Sequence, residues 1–207
     1  MAARPKPTPR PQWREAFYRT DGVGPFAINN AAGAKDDLDP SFRAMVELLR
    51  GDVEQLRERH PGESLLKRAY PGLFIAALYR LSHTLHLRGS RMLPIAIMWF
   101  CHMITGTEIR PTAIIGPGLT ILHPSGVVVG GGVVAGARLT LVGGNVLGAN
   151  KKLGLHGAPV LGDDVTIGTH AVVVGPINVG DGASVGAMSL VLDDVEPKAT
   201  VKGVPAS

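Results

Sequence analysis

The sequence predicts an α+β protein in which a helical domain is followed by a parallel β-helix of hexapeptide repeats. Three observations carry this. Ile109, Ile115, Ile121, Val127, Val133 and Leu139 fall at strict six-residue spacing, and Leu161, Ile167, Val173, Val179, Val185 and Val191 repeat the pattern. A period of six in buried aliphatics is the mark of a hexapeptide β-helix, in which each hexad supplies a short strand and a turn. Between Leu139 and Leu161 the phase slips by four, which predicts a loop leaving the coil within 146–160. The third observation is a set of helix-periodic apolar runs that all precede residue 106.

Small residues at Ala113, Ser125, Ala137, Ala171, Ala183 and Ser189 suit a second, crowded inward position. Gly116, Gly162, Gly168, Gly180 and Gly186 each follow an array aliphatic, where a corner conformation is expected. Ahead of the coil, Asp39-Pro40 reads as an N-cap followed by proline at the first helical position. Phe42, Met45, Val46, Leu49, Val53 and Leu56 then give one apolar face, and His60-Pro61-Gly62 ends the helix. A short helix is expected over Glu63–Arg68, another over Leu73–Arg88 stopped by Gly89, and a last one over Met92–Thr105 stopped by Gly106. The domains expected are a disordered tail (1–35), a helical domain (36–105) and the β-helix (106–207). The apolar helices ask for a partner surface, and another copy of the chain is the expected one.

Composition narrows the function classes. With 27 glycines and 45% apolar residues, the chain reads as globular and turn-rich. A single cysteine, Cys101, excludes a disulfide framework and reads as a core filler. No apolar leader stands in 1–35, and the apolar run 92–104 is too short to span a bilayer, so a cytoplasmic protein without a membrane anchor is expected. The net charge of +4 is scattered and has no aromatic platform beside it, which argues against nucleic acid.

Several motifs resemble the serine acetyltransferase family. Arg57-Glu58-Arg59-His60-Pro61, Tyr70-Pro71-Gly72 and Tyr79-Arg80-Leu81-Ser82-His83 are similar to its helical domain. Gly106-Thr107-Glu108-Ile109-Arg110-Pro111 and Leu122-His123-Pro124-Ser125-Gly126 are similar to its catalytic segments, and Gly203-Val204-Pro205-Ala206 to its closing motif. The resemblance implies a left-handed helix that forms trimers or dimers of trimers, with active sites between subunits and acetyl-CoA as donor. It implies His123 as general base and Glu108 as the carboxylate that orients it. An imidazole near its ordinary pKa suits removal of a proton from an attacking alcohol. Backbone amides near Gly148 are expected to receive the developing oxyanion. Ala149, Gly168, Thr169 and Ala187 correspond to the donor groove, with Lys202 placed for CoA phosphate; no metal is implied.

The departures concern the acceptor. The family's aspartate before the catalytic histidine is Leu122 here, and Gly157 and Ala158 stand where its protruding loop carries Arg and His. His60 replaces an acceptor-contacting aspartate, and His156 is the histidine left in the loop. A zwitterion in a desolvated site without charge partners is costly. The expected reaction is therefore O-acetylation of a hydroxylated small molecule or glycan other than free L-serine. L-serine O-acetylation and a non-catalytic β-helix scaffold are the alternatives. A zinc site built from His123, His156 and His170 between subunits does not fit by spacing. The chain stops just after the closing motif, so no complex with cysteine synthase is expected.

Overall fold

The computed structural model describes residues 38–59, 71–149 and 157–203. Three helices, α1 (Phe42–Arg59), α2 (Pro71–Leu87) and α3 (Met92–Thr105), precede fourteen short strands. The expected α2 and α3 agree within two residues, because Gly89 and Gly106 take left-handed conformations that stop them. For α1 the start differs. Ser41 is the cap, its hydroxyl accepting the Ala44 N–H at 3.1 Å, so the helix opens two residues beyond the Asp39-Pro40 signal. The expected apolar face of α1 is also displaced: Leu48 and Asp52 are buried, whereas Phe42 and Val46 are exposed. His60 and the helix expected over 63–68 lie outside the described residues.

The strands stack into three parallel sheets, ordered β1-β4-β7-β10-β13, β2-β5-β8-β11 and β3-β6-β9-β12-β14. One coil from Val128 to Val146 takes 18 residues, three hexads. The coil from Glu108 to Val128 takes 20, and the one from Val146 to Val172 takes 26. The eight extra residues fall between β7 (Val146–Gly148) and β8 (Val160–Leu161), where 150–156 lie outside the described residues. The excess of two lies between β3 (Thr120–Ile121) and β4 (Val128–Val129). It went unseen in the repeat because a second inward column keeps the phase. Ile109, Ile115 and Ile121 are strand residues, but Val127, Val133 and Leu139 are inward residues directly before a strand, two places ahead of Val129, Ala135 and Leu141, which stack on those isoleucines. All twelve array aliphatics are buried. Ser125 is exposed rather than inward, since the two extra residues push its turn out of the coil.

The glycines after the array aliphatics serve close approach rather than left-handed corners. A Cβ on Gly116 would sit 2.8 Å from the Gly136 carbonyl. The left-handed corners fall instead to Arg138, Asp164, His170, Met188 and Lys198, among others.

Helices and coil are joined through one buried ion pair. Arg80 forks onto Asp52 at 2.9 and 3.1 Å and donates to the carbonyls of Ile115 and Gly116. Asp52 Oδ1 accepts the N–H groups of Gly118 and Leu119. Burial works against the Arg80 charge, but attraction and hydrogen bonding from Asp52 outweigh it and hold its pKa above the ordinary value. Tyr79 and His83 of the same helix bond the carbonyls of Ala113 and Pro111. Cys101, on α3, is buried in the core cluster with Ile75 and Tyr79, and burial pushes its thiol pKa up, which fits a core filler.

Candidate active site

The site is built by register. Ile121, Leu141, Ile167, Val185 and Val201 pair in turn across the third sheet. The residues that follow them therefore stack on one corner of the coil. Leu122, Val142, Gly168, Gly186 and Lys202 form one column, and His123, Gly143, Thr169, Ala187 and Gly203 the next. His123 thus stands at the foot of a corner that holds Gly168, Thr169, Ala187 and Lys202, four of the six residues expected on the donor side. The two-residue insertion swings the His123 turn outward, and its imidazole is exposed. Among the described residues it has no hydrogen-bond partner.

Glu108 opens β1, the strand that pairs with β4 directly after the His123 turn. Gly126 N–H bonds Gly106 O at 3.2 Å, and the Thr107 hydroxyl bonds Pro124 O, which pins that turn to the start of β1. The Glu108 carboxylate is mostly covered and meets Arg110 Nε through Oε1 at 2.8 Å, not His123. Sequence reasoning passed over Arg110. The strand period was the available signal, because residues two apart point to the same face.

Gly148 and Ala149 are not brought to this corner. Gly148 ends β7 at the other edge of the first sheet, and Ala149 follows it. Gly157 and Ala158 lie just ahead of β8, and a Cβ on Gly132 would stand 3.6 Å from Ala158 Cβ. Arg110 shares that edge through the register Ile109–Val129–Leu147. Within one chain, then, the expected base and donor groove occupy one corner, and the expected oxyanion and loop residues another, with Glu108 on the face between. His156 lies outside the described residues.

A helical cap thus sits on a three-sided hexapeptide coil, with an exposed imidazole at the foot of a corner of small residues. No protein-family model matches the chain. It is similar to the serine acetyltransferase of Mycobacterium tuberculosis, 38% identical over 164 residues, covering 78% of this chain and 72% of that one. Among solved structures it is similar to Neisseria gonorrhoeae serine acetyltransferase in complex with serine, with a TM-score of 0.72 at 32% identity, covering 80% of this chain and 69% of that one. It is also similar to the Entamoeba histolytica isoform 3 enzyme in complex with cysteine, with a TM-score of 0.70 at 28% identity; there it covers 80% of its own length but 61% of the other. The chain belongs to the serine acetyltransferase family, whose members are acetyl-CoA-dependent O-acetyltransferases built on a left-handed parallel β-helix.

Proposed function

We propose that this chain transfers the acetyl group of acetyl-CoA to the hydroxyl of L-serine, with His123 as general base. The observation that carries this is the corner that places His123 beneath Gly168, Thr169, Ala187 and Lys202. The names of the relatives supply the acceptor. The acceptor oxygen attacks the thioester carbonyl carbon while His123 takes its proton. The tetrahedral intermediate expels the thiolate as the C–S bond breaks, and the imidazolium returns the proton to sulfur. Arg110 occupies Oε1 of Glu108, and the second carboxylate oxygen is the one assigned to orient His123. Backbone amides near Gly148, supplied by a neighbouring copy, receive the oxyanion.

A second reading keeps the chemistry and changes the acceptor to an alcohol that lacks one or both charges of serine. Leu122 favours it, lying half-buried beside His123 where the family has an aspartate. Gly157 and Ala158 favour it too, bringing no charge to the loop's return. The comparisons give this reading no support, since the relatives carry the name of serine.

A thiol-release assay with acetyl-CoA separates the two. If serine is the acceptor, it turns over at about 10⁴ M⁻¹s⁻¹ or more, as metabolic enzymes do. If the charge partners are lost, each missing charge-assisted hydrogen bond costs about 1.5–3 kcal/mol, roughly tenfold or more in rate. Serine then fails, while N-acylated or esterified serine turns over. Failure of the wild-type protein to bind CoA would sink both readings and leave a scaffold.

A further inference from the structure

One imidazole on the His123 corner has been given no task. His170 sits on the coil two above His123, with a left-handed φ of 56°. Its N–H bonds Gly143 O at 2.8 Å, and Gly143 in turn lies against His123, whose Cβ would be 2.9 Å from a Cβ on Gly143. The next residue, Gly144, is where the His170 ring comes to rest. A Cβ on Gly144 would lie 2.5 Å from Cε1 of His170 and closer still to Nδ1. The ring is therefore folded down the stack by about one coil, over Gly144 in the column beside that of His123 and Gly143. Beneath Gly144 stands another glycine, Gly126, whose Cβ would be 3.5 Å from Gly144 Cα. His170 is exposed, and neither ring nitrogen has a hydrogen-bond partner among the described residues.

The heights matter. Stacked coils are about 4.8 Å apart, so the backbones of His123 and His170 are separated by about 9.6 Å. Folding onto Gly144 brings the second ring roughly one coil, about 5 Å, nearer. A general base must reach the acceptor oxygen at about 3 Å, and the reacting carbon lies about 3–3.5 Å beyond it. The thioester therefore stands about 6 Å from the ring of His123. Measured up the corner toward Thr169 and Ala187, that is the level of the His170 ring.

We propose that His170 is a donor-binding residue, its imidazole hydrogen-bonding the thioester end of the acetyl-CoA arm across the Gly143–Gly144 step from His123. This rests on the reading that acetyl-CoA runs up this corner. The two glycines make the room, and His170 supplies a ring that projects into it from above.

The test uses the full chain with two substitutions. His170→Gly removes the ring at a φ that glycine adopts freely, so the fold is spared. His170→Gln restores a hydrogen-bonding group at about the reach of Nε2. In His170→Gly, KM for acetyl-CoA and the equilibrium Kd for acetyl-CoA should both rise by about three- to tenfold, the worth of one hydrogen bond. KM for the acceptor should stay within about twofold, and His170→Gln should recover most of the donor affinity. As a check free of any variant's folding, the histidine NMR signal that disappears in His170→Gln should shift when the wild-type protein is titrated with acetyl-CoA. Unchanged donor affinity in His170→Gly, a shift in acceptor KM instead, or a His170 signal indifferent to acetyl-CoA would each overturn the proposal. If the wild-type chain binds no acetyl-CoA, the functional reading itself falls. If the wild type binds it and only the His170 effects are missing, that reading survives and the role of His170 does not.

Discussion

His123 and Glu108 show how a residue's identity and its engagement part company. The imidazole stands exposed, without a hydrogen-bond partner among the described residues, and the Glu108 carboxylate meets Arg110 at 2.8 Å. If His123 is the base, His123→Ala should lower kcat by about 10²–10⁴-fold and leave acetyl-CoA affinity within a few-fold. Single-turnover acetyl transfer beside equilibrium CoA binding would show it, and near wild-type turnover would refute it. Glu108→Gln should cost less, because it removes an orienting charge rather than the proton acceptor. The same variant releases Arg110 from its pair. Arg110→Gln is therefore the informative companion: a comparable fall in kcat would mean that the ion pair, not the carboxylate alone, sets the base.

At the scale of elements, the junction between α1, α2 and the first coil hangs on Asp52 and Arg80. Both side chains are almost wholly excluded from solvent. Asp52 also accepts two backbone N–H groups at the Pro117–Leu119 corner. Asp52→Ala strands a buried guanidinium and two buried amides. Breaking a buried pair from one side costs about 3–5 kcal/mol. Urea unfolding should record a loss of that size, and a loss under about 1 kcal/mol would show that the junction is held elsewhere. Gly72 marks a second contact, since a Cβ there would collide with the Ile121 carbonyl. The helices are fixed to the coil at the base of the corner that carries His123.

The whole molecule poses the question of copies. The residues expected at the site fall on two corners of the triangular coil, and no loop among the described residues bridges them. Apart from Glu108 at its foot, the outward face of the first sheet is apolar, as is the exposed face of α3. Trp99 is 49% exposed, Phe100 51%, Met103 78% and Leu190 62%, and large exposed apolar faces mark association surfaces. On the proposed reading, a neighbouring copy would complete the site by setting its Gly148 and Gly157 edge against the His123 corner. The expected assembly is a trimer or a dimer of trimers. Light scattering coupled to size exclusion tests it, and a stable, fully active monomer would contradict it. No helix among the described residues is long and apolar enough to cross a membrane.

By itself the sequence determined the coil, and α2 and α3 almost to the residue. These are local or strictly periodic features, and a six-residue period can be read along one dimension. Only the tertiary structure showed that Val127, Val133 and Leu139 belong to a different inward column from Ile121. The two-residue insertion and the change of column cancel in the spacing, so the string of residues cannot reveal either. The polar Asp52 on the buried side of α1, the Arg110 partner of Glu108 and the His170 ring over Gly144 were equally silent. Each depends on which residues the stacking of coils, or of helix on coil, sets side by side, and hydrophobic period carries no record of that.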